Sequence, residues 1–116
     1  MKTIIAGGRD ILDYTLVLSA IRESKFEITE VVSGMAKGVD TLAVQFANEN
    51  DLVITPFFAD WDTHGRAAGP IRNRKMAEYG EALIAVWDGE SRGTKNMIEE
   101  ATKRGLKVYV YSIQRI

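Results

Sequence analysis

The chain has 116 residues, 46% apolar and 27% charged, the balance of a soluble globular protein with enough length to close one hydrophobic core. A formal net charge of -1 argues against a strongly cationic surface built for duplex DNA and leaves room for a local basic pocket, and the lack of cysteine excludes a disulfide framework or a thiolate metal site. No apolar run reaches membrane-spanning length, and "MKTIIAGGRD" turns to glycine and charge after two isoleucines, so neither a secretory leader nor a membrane partner is expected and a cytoplasmic location is.

In chain order, "TIIAGG" is a short apolar run closed by glycines, which predicts a buried strand. Asp13 is placed to cap a helix carrying Leu16, Val17, Ala20 and Ile21 on one face. "EVVSG" predicts a second strand, and Val39, Leu42, Ala43, Phe46 and Ala47 then recur at helical spacing. "LVITPFFA" reads as a third strand, where Pro56 marks an edge or a strand end. "WDTHGRAAG" reads as loop, followed by a helix with Pro70 in its first turn and Gly80 at its stop. "ALIAVWD" is the most uniformly apolar segment, so a central strand is expected there. A last helix is predicted from about Thr94, with Ile98 and Ala101 inward and Gly105 as its stop, before "KVYVY" closes the sheet. There is no internal repeat or low-complexity tract. Five strands separated by crossover-length helical segments imply one Rossmann-like domain over residues 1–116, a three-layer α/β/α sandwich with a five-stranded parallel sheet.

Such sheets bind ligands beyond the carboxyl ends of their strands. Three of the five predicted strands run into glycine-bearing turns there: Gly7-Gly8-Arg9-Asp10, residues 33–38 with Ser33, Gly34, Lys37 and Gly38, and residues 88–94 with Ser91, Gly93 and Thr94. Any one of these glycines is most simply a turn residue, but three such turns on one rim suit a phosphate or nucleotide held by backbone amides and helix N-termini. Neither G-x-G-x-x-G nor G-x-x-x-x-G-K-[ST] occurs, which argues against ordinary dinucleotide oxidoreductase or P-loop chemistry.

"GGR", "SGMAKGVD", "ADW…GRAAGPIRNRKM" and "WDGESRGT", in that order and across nearly the whole chain, resemble the SLOG superfamily, in particular its YspA-type (cpYpsA-related) group. "SGMAKGVD" is also similar to the S-G-x-A-x-G-[IV]-D segment of the DprA proteins, and "GESRGT" to the P-G-G-x-G-T segment of LOG-type phosphoribohydrolases. The resemblance implies a Rossmann-like fold that binds a nucleotide or nucleotide-derived ligand. It carries binding roles to Gly7, Gly8 and Arg9, to Ser33, Gly34, Lys37, Gly38 and Asp40, and to Ser91, Gly93 and Thr94. It also implies a homo-oligomer, dimer or tetramer. One position departs from the LOG pattern: the catalytic glutamate expected three residues after the threonine is Met97, which has no acid–base chemistry.

Other residues remain open. Asp40 suits a ribose hydroxyl, a loop amide or simply a helix start. Arg72 and Asn73 fall in the first turns of a helix, where a cation opposes the dipole; this hints at an anionic partner for Arg72 and leaves Asn73 for base or ribose contacts. Arg74 and Lys75 read as solvated. Asp60, Asp62 and His64 form a weak metal-like pattern on one loop, for which local hydrogen bonding is the default and no metal is expected. Trp87 suits the core or a pocket floor, and Trp61 a lid. The leading expectation is a sensor, carrier or sequestering module for a nucleoside phosphate or an ADP-ribose-like molecule, requiring no further cofactor. The alternatives are an N-glycosidase using Asp10, Asp88 or Glu90, and a single-stranded nucleic-acid binder, the latter disfavoured by the near-neutral charge and the scarcity of plausible exposed aromatics.

Overall fold

The computed structural model describes residues 1–113. Five parallel strands, β1 (Lys2–Gly7), β2 (Glu30–Ser33), β3 (Val53–Pro56), β4 (Ala82–Trp87) and β5 (Lys107–Ser112), form one sheet in the order β3-β2-β1-β4-β5. Between them run α1 (Tyr14–Ser24), α2 (Val39–Glu49), α3 (Trp61–His64), α4 (Ala68–Tyr79) and α5 (Arg92–Lys103). The architecture is the Rossmann-like α/β sandwich that the sequence predicts. Chain direction across the sheet reverses between β1 and β4, where Thr3 to Gly7 lie opposite Ala82 to Val86.

Alternation along the inner strands builds the two interior layers. Ile5, Val31, Ile84 and Val86 pack with Val17, Val39, Ala43 and Ala47 under α1 and α2. Ile4, Ala6, Val32, Leu83 and Ala85 face the other way, onto Met76 and Ala77 of α4 and Met97 and Ala101 of α5. Side chains successive along a strand point to opposite faces, so a strand covered on both sides is apolar at every position. That is why "ALIAVW" shows no alternation in its polarity. It does not put the strand in the middle: β1 is central and β4 is its neighbour.

Segment ends follow local chemistry. Asp13 Oδ1 accepts the Thr15 amide at 2.9 Å and starts α1. Pro56 is the last residue of the edge strand β3, where a missing N–H breaks no ladder. The "WDTHGRAAG" segment, expected as loop, instead contains α3 and a 3-10 turn over residues 65–67, because Asp60 accepts the Thr63 amide at 3.1 Å and caps a turn of helix. Helix α4 begins two residues before Pro70, and α5 two before Thr94. Gly80 ends α4 in extended conformation, with φ of -78°.

Helix α2 has no side-chain cap. Its first amide, Val39, donates instead to the carbonyl of Gly8 at 3.2 Å, which joins the loop after β1 to the loop after β2. Gly38 makes this possible. Its φ is 77°, and a Cβ there would lie 2.2 Å from the Gly8 carbonyl oxygen, while a Cβ on Gly93 would meet nothing within 4 Å. Gly38→Ala is therefore expected to lower unfolding free energy by about 3 kcal/mol or more, from backbone strain and overpacking together. Gly93→Ala should leave stability within about 1 kcal/mol of the parent. Chemical denaturation of the two variants checks both.

Candidate functional site

At the sheet reversal, beyond the carboxyl ends of β1 and β4, lies a cavity of about 390 Å³. Its floor is apolar, made by Ala6, Met76 and Met97. Four arginines line it, each from a different segment: Arg9 after β1, Arg66 from the 3-10 turn, Arg72 from α4 and Arg92 from α5. Trp61 closes one side, half exposed, with the Arg9 guanidinium carbon 5.5 Å from its ring centroid, a cation–π geometry.

The turn before α5 is built by its own side chains. Asp88 Oδ1 accepts the amides of Glu90 and Ser91 at 2.8 and 2.9 Å. Trp87 Nε1 donates to the Ser91 carbonyl at 3.1 Å, so Trp87 props this turn and does not floor the cavity. Ser91 caps α5 by accepting the Thr94 amide, and its hydroxyl lies 3.0 Å from that of Thr94. Arg92 and Gly93 occupy the first turn, where amides have no carbonyl four residues back within the helix, and both line the cavity.

The loop after β2 spends its polar groups internally. Ser33 Oγ accepts the Met35 amide at 3.1 Å and donates to the Asp40 carbonyl at 3.2 Å, while Asp40 Oδ2 accepts the Ala36 amide at 3.2 Å. The expectation that three sets of rim amides would converge on an anion thus needs correcting: amides of Met35, Ala36, Glu90, Ser91 and Thr94 already bind the protein itself. Positive charge at the cavity comes mainly from the arginines and from the start of α5.

Asp40 is the single carboxylate among the described residues lining this cavity, and it is buried to 5% exposure. Gly34 lets it lie beside Arg72, since a Cβ on residue 34 would be 2.9 Å from Asp40 Oδ2 and 3.0 Å from Arg72 Nη1. Arg72 Nη1 donates to the Gly34 carbonyl at 2.9 Å and Nε to Asn73 Oδ1 at 3.2 Å. Burial pushes the Asp40 carboxyl up to about 6, against the opposing pull of the Ala36 amide and of the Arg72 and Arg9 charges. Burial likewise disfavours the Arg72 charge, and Asp40 supports it.

Of the residues singled out from sequence, the cavity gathers Gly7, Arg9, Asp40, Arg72, Asn73, Ser91, Gly93 and Thr94. Gly34 and Lys37 line a second hollow of about 380 Å³, which shares Arg9, Ala36, Trp61 and Arg72 with the first. Gly8, Ser33 and Gly38 line neither and stand behind the wall as its supports. Asn73 is buried, with Nδ2 donating to the Gly93 carbonyl at 3.2 Å and to Asn96 Oδ1 at 2.9 Å, so it ties α4 to α5. Asp10, Asp88 and Glu90 line neither hollow. Asp60 is occupied in capping α3, and no group of three or more His, Cys, Asp or Glu among the described residues could hold a metal ion. Sequence reading missed Arg66, Asn96 and Met76 as lining residues: Arg66 and Met76 lie within the "GRAAGPIRNRKM" motif, but which of its positions face a cavity is set only when the chain is folded.

A buried acid with a raised pKa destabilises the fold when ionised. For Asp40 the folded value of about 6 exceeds the ordinary 3.8, so its contribution is most favourable below pH 4 and is lost as pH rises through 6. The cost at neutral pH is about 3 kcal/mol. Asp40→Asn, which keeps an acceptor for the Ala36 amide, should gain stability relative to the parent as pH rises from 4 to 7. Paired denaturation curves across that range test this; a constant difference would contradict it.

The geometry can be set beside known proteins. The sequence profile of YAcAr, the YspA, cpYpsA-related SLOG family, matches residues 1–64. The Gene 61 protein of Mycobacterium phage D29 is 33% identical over 117 aligned positions, covering 92% of this chain and 93% of that protein. The crystal structure of DNA processing protein A (DprA) from Streptococcus pneumoniae superposes with a TM-score of 0.73 over 94% of this chain at 20% identity, a likeness of fold. This chain spans about half of that one, 49%. Among the described residues, no helix is long and apolar enough to cross a membrane. The profile match over more than half the chain, together with the phage relative, establishes that this chain belongs to the YspA, cpYpsA-related SLOG family.

Proposed function

We propose that the chain binds a nucleotide or nucleotide-derived anion in the cavity at the sheet reversal, acting as a sensor, carrier or sequestering module. The observation that carries this reading is four arginines converging from four segments on an apolar-floored cavity that also receives the first turn of α5. Arginines matched by one buried carboxylate leave net positive charge in a partly desolvated space, which suits phosphate. The apolar floor and Trp61 suit a base or sugar face. Hydrolysis of an N-glycosidic bond has less support: Met97, at the position of the LOG glutamate, is buried in the floor, and the carboxylates suggested as replacements line neither hollow.

Calorimetric titration with a panel of nucleoside mono- and diphosphates and ADP-ribose is expected to yield at least one ligand with micromolar dissociation constant. Arg92→Ala, at an exposed position, should weaken it by about tenfold, the loss of one charge-assisted contact. Binding no tighter than millimolar across the panel would end this reading.

A second reading, single-stranded nucleic-acid binding, is favoured by one observation. Phe58 and Trp61 are both exposed and line the second hollow with Arg9 and Lys37, so exposed aromatics are less scarce than the sequence suggests. Under it, oligonucleotide affinity should fall steeply between low and high salt in a gel-shift series.

A further inference from the structure

The second hollow has no role in the anion-binding reading, yet its make-up is unusual for free surface. Of the five exposed large hydrophobic side chains among the described residues, three line it: Met35, Phe58 and Trp61. Phe58 is 73% exposed. Met35 holds φ of 60°, a left-handed conformation that a side-chain-bearing residue adopts at a cost. Exposed aromatics gathered at a concave, positively charged place mark a contact surface more often than chance surface.

The two hollows also share a wall. Arg9, Ala36, Trp61 and Arg72 border both, so the Arg9–Trp61 cation–π pair and Arg72 stand between them. Cationic groups therefore occur inside the first cavity, from Arg66 and from Arg92 at the start of α5, and on the dividing wall. Beyond that wall the surface becomes apolar and aromatic, with Lys37 at its rim. A ligand matching this sequence of chemistries has a planar ring at one end and two linked anionic groups toward the other.

We propose that the second hollow is the base subsite of the same ligand. The base lies against Met35 and Phe58, and a diphosphate crosses the Arg9–Arg72 wall into the first cavity. The ligand class is then a nucleoside 5′-diphosphate or a diphosphate-bridged conjugate of one. Arginine guanidinium groups match phosphate oxygens in planar, two-point fashion, and one stacked ring fills the apolar side. This rests on the anion-binding reading of the first cavity and adds the length and orientation of the ligand.

Titrating the whole chain with ADP and with inorganic pyrophosphate separates the two. ADP is expected to bind about tenfold more tightly than pyrophosphate, the worth of one stacked base. Phe58→Ala should remove that advantage and leave pyrophosphate affinity unchanged, whereas Arg92→Ala should weaken both. Phe58 is exposed, so its loss leaves the core intact. Equal affinity for ADP and pyrophosphate, or ADP binding indifferent to Phe58→Ala, would overturn the base subsite while leaving the anion cavity standing. Failure of both probes to bind the parent chain would overturn the subsite, and the cavity with it where the nucleotide panel fails as well. Oligothymidylate binding that depends on Phe58, with no binding of ADP, would assign the hollow to a polynucleotide and likewise overturn it.

Discussion

The carbonyl oxygen of Gly8 occupies the space that a side chain on residue 38 would need, and the geometry of the candidate site depends on this approach. By accepting the Val39 amide at 3.2 Å it replaces the side-chain cap that α2 lacks. The loops after β1 and β2 are thereby joined. Arg9, two bonds along from this junction, and Asp40, one residue inside α2, are consequently held on the same wall. A larger residue at 38 would separate the loops and with them the charges.

A comparable economy governs the opposite wall. Asn73 has both amide hydrogens on α5 and its oxygen on Arg72, so α4 and α5 cannot separate without exposing buried polar groups. Arg72 in turn bonds Gly34, which places a cation from α4 against the loop of β2. The cavity is thus a junction of four segments whose polar groups are largely committed to each other. What remains free for a ligand is the outward part of the arginines, the start of α5 and the aromatic rim. Asp40 limits the net positive charge there and makes it sensitive to pH through its raised pKa.

Much of the fold was legible in the sequence because strand and helix periodicities are local. "TIIAGG", "EVVSG" and "ALIAVWD" read correctly as strands, and Asp13 as a cap. The misreadings have local causes too. Asp60 can cap a turn or decorate a loop, and only the geometry of Thr63 decides which. Uniform apolarity reports two covered faces and is silent on rank within the sheet, so β4 was expected in the centre that β1 holds.

What the residues alone determined is the layered α/β fold, the rim on which glycine turns gather, and family membership through motifs in fixed order. Whether a glycine such as Gly38 serves a turn or a close approach depended on what lies opposite, and Gly8 is thirty positions away. The same holds for the arginines. Charge at positions 9, 66, 72 and 92 is plain in the sequence, but its convergence on one cavity arises from strand order and helix phase, which no local pattern encodes. Tertiary structure alone also decided that Asp40 is buried and that Phe58 is not, because burial is a property of neighbours supplied by the rest of the chain.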